Sequence, residues 1–144
     1  MLAQQMNSAS LLCRGVCRAL TDLGYAPLPE FSLASGRRAD IFALSDRGDA
    51  VIVEIKSSLE DFRTDQKWPE YQPWFDRFYF AVSETFPREL VPEECGLIIA
   101  DSWNAVIVRD SPVRALAPAR RKALILRAAL AAAERLLRLT DPAY

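Results

Sequence analysis

Three features of the sequence predict an α/β fold, a mixed five-stranded sheet flanked by helices. Short runs rich in Val, Ile and Phe alternate with helical patterns. Two of those runs are joined by a tight turn, and a chain of 144 residues supports one core but not two. A composition 51% hydrophobic and 26% charged, with both signs mixed, is that of a folded globular protein. A single domain over residues 1–144 is therefore expected.

From Ala3 to Leu23, residues Leu11, Leu12, Val16, Ala19, Leu20 and Leu23 recur at helical spacing, and Gly24 supplies a stop. Tyr25 to Arg38 mixes Pro27, Pro29, Ser35 and Gly36 and reads as irregular, with a short extended piece around Phe31. Two strands follow, Ala39 to Leu44 and Ala50 to Lys56, separated by Ser45-Asp46-Arg47-Gly48-Asp49. Ser57 or Ser58 caps a helix beginning near Leu59, with Glu60 and Asp61 in its first turn and a break at Pro69. Arg77 to Ser83 reads as a third strand, and Phe86 to Glu94 as a short turn or loop. Gly96 to Ala100 and Ala105 to Arg109 make two more strands around Asp101-Ser102-Trp103-Asn104. Pro118 to Leu139 is a closing helix with five arginines and a lysine.

Composition excludes several kinds of chemistry. The chain has no histidine, so a Ser-His-Asp or Cys-His relay and a histidine-ligated metal are ruled out. Metal chemistry would have to rest on carboxylates, which favour Mg or Mn. Cys13, Cys17 and Cys95 are odd in number and lack CxxC spacing, as expected of reduced, buried thiols. No apolar run reaches bilayer length and the N-terminus lacks a signal-peptide pattern, so a cytoplasmic protein with no membrane partner is expected. The net charge of -1 hides an asymmetry: residues 1–108 hold ten Lys/Arg against sixteen Asp/Glu, and residues 109–144 eight against three. The basic C-terminal third suits phosphates.

The hairpin carries the chemistry. Gly48 falls where a three-residue loop needs a left-handed residue, which pairs Ser45 with Asp49, Leu44 with Ala50, Phe42 with Ile52 and Asp40 with Glu54. Two carboxylates then lie opposite each other and repel, so a compensating cation is needed. Side chains alternate along a strand, placing Glu54 and Lys56 on one face and Val51, Val53 and Ile55 on the other. A metal held by Asp40, Glu54 and the Ile55 carbonyl, with Lys56 beside an attacking water, suits phosphodiester cleavage. Glu54 and Lys56 alone also fit an ordinary surface pair on a strand; the aligned Asp40 is what separates the two readings.

Asp40 followed by Val53-Glu54-Ile55-Lys56-Ser57 resembles the D…E-x-K core of the PD-(D/E)XK nuclease superfamily. The segments GRRADIFAL, IVEIKSS, DFRTDQKWPEY, DRFYFAV and GLIIAD resemble, more specifically, the MmcB-type DNA-repair family, over about residues 14 to 127. The resemblance implies a restriction-endonuclease-like fold, DNA as the partner, Mg or Mn as cofactor, metal ligation by Asp40 and Glu54, and the catalytic-lysine role for Lys56. Resolvase-like relatives also imply a homodimer. Ala39 stands where the superfamily has its name-giving proline, and the first helix has no acidic residue; Glu30 is the nearest candidate for a third ligand.

Further residues suggest nucleic-acid contacts. Lys67 and Tyr71, four apart, would share a helix face, and Arg37 and Arg38 precede Asp40. Arg120, Arg121, Lys122 and Arg127 could meet a duplex backbone or form a solvated amphipathic face. Trp68 and Trp74 could stack on bases or belong to the core. Two functions follow: a metal-dependent DNA endonuclease acting in repair on branched or damaged DNA, or a noncatalytic DNA-binding or repair-assembly module of the same fold.

Overall fold

The computed structural model describes residues 7–64 and 67–143. The elements run α1 (Ser8–Asp22), β1 (Tyr25–Ser32), β2 (Arg38–Ser45), β3 (Ala50–Lys56), α2 (Leu59–Thr64), a 3-10 turn (Trp68–Trp74), β4 (Arg77–Val82), a second 3-10 turn (Arg88–Leu90), β5 (Gly96–Ala100), β6 (Ala105–Arg109) and α3 (Pro118–Thr140). They build one mixed sheet in the order β1-β2-β3-β4-β5-β6. Strands β3, β4 and β5 run parallel, while β1/β2, β2/β3 and β5/β6 are antiparallel.

The sheet therefore has six strands where five were expected. The extra one is β1, the segment whose prolines suggested irregular chain. It pairs only with β2, with Pro27 opposite Ala43 and Pro29 opposite Ile41. A border strand tolerates proline because its outward side needs no backbone donor.

Asn7 starts α1 by accepting a hydrogen bond from the Ser10 amide at 2.8 Å. The start expected at Ala3 lies outside the described residues. Leu12, Val16 and Leu20 of α1 cover the face of the sheet that carries Ile41, Val51 and Val53. Each such buried side chain contributes about 2 kcal/mol. The opposite face is aromatic: Phe42, Phe78 and Phe80 meet Phe62 of α2, Tyr71 and Phe75, with Leu124 and Ala128 of α3 closing over them. β3 is buried along its whole length because both faces are covered.

The turn between β2 and β3 forms as the sequence requires. Gly48 has φ +83°, and the Ser45 amide donates to the Asp49 carbonyl at 3.0 Å. Phe42 opposes Ile52 and Leu44 opposes Ala50. Ser58, rather than Ser57, caps α2, its hydroxyl accepting from the Asp61 amide at 3.0 Å.

A polar anchor holds α3 to the sheet. Asp76, 3% exposed, accepts from the Ala50 amide at 2.7 Å and the Leu116 amide at 2.9 Å. Arg121 grips the same carboxylate through two nitrogens at 2.6 and 2.8 Å, and also donates to the Gly48 carbonyl at 2.8 Å.

Candidate active site

At the C-terminal end of β3 a cavity of about 610 Å³ opens between the start of α1, the ends of β1 to β3, and the α2 region. Asp40, Glu54, Ile55 and Lys56 line it, together with Glu30, Arg38, Asp61 and Tyr71. The pairing of β2 with β3 runs as far as Ile41 against Val53, and the next residue on each strand, Asp40 and Glu54, lines the same cavity. The negative charge of Asp40 acts directly on the Glu54 carboxyl. Asp40 also accepts from the Ile55 amide at 2.8 Å, which fixes its orientation at the strand end. A strand residue's N–H and C=O leave the same side of the chain, so the Ile55 carbonyl points to the Asp40 side as well.

Glu54 is 5% exposed, and its Oε1 is buried with no hydrogen-bond partner. Burial, then the hydrogen bond and negative charge of Asp40, push the Glu54 carboxyl up to about 9. The nearby Tyr71 hydroxyl and the charge of Lys56 pull in the other direction and are outweighed. Glu54 thus keeps its proton near neutral pH in the metal-free protein. Lys56 is 4% exposed, with its Nζ 4.0 Å from Asp61 Oδ1. Asp61, in the first turn of α2, thus also lines the cavity.

The donor set fits a hard divalent cation: two oxygen donors at one point, one with an unsatisfied buried atom, and a mutual repulsion that a cation would relieve. Mg is commonly held by one or two protein carboxylates plus water and substrate phosphate. Glu30 reaches the same cavity, but among the described residues no three His, Cys, Asp or Glu side chains are grouped to hold an ion. Glu30 is itself unusual, with φ 51° in a non-glycine residue. Its carbonyl accepts from Arg135 of α3 at 2.8 Å.

The remaining sequence candidates separate. Tyr71 joins the site, its hydroxyl donating to the Arg38 carbonyl at 3.1 Å while lying in reach of Glu54. It lies in the 3-10 turn and is buried, whereas Lys67 precedes that turn and is exposed, so the two do not share a helix face. Arg38 lines the cavity; Arg37 forms an ion pair with Glu70. Arg121 is committed to Asp76 and Gly48, which corrects its assignment as a DNA-facing residue. Arg120 lies over the Trp74 ring at 4.1 Å, and Trp68 packs on Phe78 with ring centroids 5.7 Å apart, so both tryptophans are tied to the protein. Cys13 lines the cavity from α1, its thiol held below the usual range by a hydrogen bond from Cys17. Sequence reasoning missed Asp61 and Cys13; only the cap at Ser58 hinted at the first, and nothing local signalled the second.

Comparisons with known proteins agree with this architecture. A family model described as DNA repair protein MmcB-like matches residues 2–143. A solved protein of unknown function from Silicibacter pomeroyi is 46% identical and superposes with a TM-score of 0.93, covering 96% of this chain and 94% of that one. No curated protein sequence matches. No helix among the described residues is long and apolar enough to cross a membrane.

Proposed function

The chain belongs to the MmcB-like family of DNA repair proteins, and from that premise we propose that it is a Mg- or Mn-dependent DNA endonuclease of the PD-(D/E)XK, restriction-endonuclease-like type. One observation carries the reading: a buried, half-satisfied Glu54 paired with Asp40 across two strands, with Lys56 two residues on. A bound divalent ion would supply Lewis acidity at a phosphoryl oxygen and lower the pKa of a water. Asp40 and Glu54 would hold the ion at the sheet end, with the Ile55 carbonyl on the same side. Lys56 orients the attacking water or stabilises the charge that grows on the phosphoryl oxygens. The water oxygen bonds to phosphorus, the P–O bond to the leaving strand breaks, and that oxygen takes up a proton. Arg38 and the start of α1, whose amide ends favour anions, face the same cavity and suit the scissile phosphate.

The test is cleavage of duplex, flap, forked and four-way DNAs with Mg or Mn. Lys56→Ala is expected to reduce single-turnover cleavage at least ~100-fold while weakening binding far less. The second reading, a noncatalytic DNA-binding or repair-assembly module, draws on the lack of a three-ligand cluster among the described residues. It would replace the first if the wild type binds DNA, cuts no substrate in either metal, and is indistinguishable from Lys56→Ala.

A further inference from the structure

We propose that Trp103, Arg14 and Arg18 form a second DNA subsite that takes one unpaired nucleotide, its base stacked on the indole and its phosphate on the two guanidinium groups. The inference rests on the DNA reading above and names a substrate feature: a single-stranded segment beside the cleaved bond.

Trp103 sits at the tip of the β5–β6 connection and is 63% exposed. The guanidinium carbons of Arg14 and Arg18, one helical turn apart on α1, lie 4.5 and 4.9 Å from its ring centroid. Like charges at that spacing repel. Elsewhere the chain neutralises such groups, pairing Arg37 with Glu70 and Arg121 with Asp76. Arg14 and Arg18 have no acidic partner among the described residues. The acid in the adjoining loop, Asp101, is turned to the amides of Trp103 and Asn104, both at 2.8 Å. Two convergent cations without a counter-charge call for an anion, and an exposed indole beside them calls for a flat apolar face. A nucleotide supplies both; a base stacked inside a duplex offers no free face.

The platform is rigid. α1 and the loop touch at Gly15, where a Cβ would lie 1.9 Å from the Asp101 carbonyl oxygen. Glycine inside a helix costs about 1 kcal/mol relative to alanine, so this close approach is bought at some expense to α1. Little ordering is then left for a ligand to impose.

Its position also fits. Lys56 is level with Val82, and Val82 with Ile99, so the loop after Ala100 emerges at the same end of the sheet as the carboxylate site. Two strand spacings, ~10 Å, separate β3 from β5. Ser10, which lines the cavity, lies one helical turn, ~6 Å, before Arg14.

The experiment measures binding of the full chain to labelled oligo(dT) and to a blunt duplex of equal length, by anisotropy across a salt series. Trp103→Ala is expected to weaken oligo(dT) binding about tenfold, and Trp103→Phe, which keeps a ring, much less. The double variant Arg14→Gln/Arg18→Gln should lose comparable affinity and show a flatter salt dependence, because fewer counterions are released. Duplex binding should not change. The double variant leaves the indole in place and remains informative if Trp103→Ala fails to fold. Wild-type affinity for oligo(dT) in both, or no binding of oligo(dT) by the wild type, overturns the subsite. Lys56→Ala separates the two claims: it should lose cleavage and keep oligo(dT) affinity. A wild type that cuts nothing, but whose oligo(dT) affinity still depends on Trp103, removes the endonuclease and leaves the subsite.

Discussion

At Glu54 the sheet holds a largely buried carboxyl group on the cavity wall, with the carboxyl of Asp40 beside it. Its pKa is raised to about 9 by burial and by Asp40, against an ordinary value of 4.5. Between those values the folded chain binds a proton that the unfolded chain has released, so the metal-free protein should lose stability as pH rises through that interval. Glu54→Gln keeps the shape without the titration. Melting temperatures from pH 5 to 9 should therefore fall less steeply in the variant, and the rise produced by Mg in the wild type, larger at pH 8.5 than at pH 6, should vanish. Equal pH slopes, or equal Mg shifts at matched ionic strength, would count against a metal at this pair. The meeting of Asp40 and Glu54 was legible in the sequence because one turn, fixed by Gly48, sets the register of the whole hairpin. Tyr71 was named in the sequence for its spacing from Lys67, not for a place beside Glu54. Its spacing from Lys67 implies a shared face only in an α-helix, and the chain there forms a 3-10 turn with different periodicity.

Among the elements, α3 and β1 show where periodicity stops being informative. The arginines of α3 look equivalent in sequence, yet Arg121 reaches the buried carboxylate of Asp76, 45 residues away. No local pattern announces so distant a pair. Burial pushes the Asp76 carboxyl up, but Arg121 and the amides of Ala50 and Leu116 outweigh it and hold the group below its usual range. Its contribution to stability is therefore retained down to acid pH and lost as pH falls through that depressed value. Arg121→Ala leaves the carboxylate buried without its cation and should cost about 3 kcal/mol in denaturant unfolding at neutral pH. A loss under about 0.5 kcal/mol would show that the two amides suffice. β1 was hidden for the opposite reason: its prolines argue against a strand in the interior of a sheet, and the sequence does not reveal that this strand is at the border.

For the molecule as a whole, those prolines have a consequence for self-association. A sheet offers two borders to another copy, and here they are unequal. Pro27 and Pro29 remove two amide donors from β1, and Glu30 breaks its extended backbone. The β6 border carries no proline and exposes Val106 at 60% and Val108 at 44%. Edge-to-edge pairing is then confined to β6 with β6, a two-fold symmetric contact that uses the same border on each copy. Two molecules joined that way have no open border left, and growth ends. Restoring the donors with Pro27→Val/Pro29→Val would let β1 of one copy meet β6 of the next, a head-to-tail contact without closure. The variant should form fibrillar aggregates on mild heating, seen as thioflavin fluorescence, where the wild type should form few. Fibrils of equal yield from both proteins would show that the prolines do not set the limit. Two imino acids on an outer strand thus decide whether a faulty encounter between copies ends as a pair or runs on as a polymer.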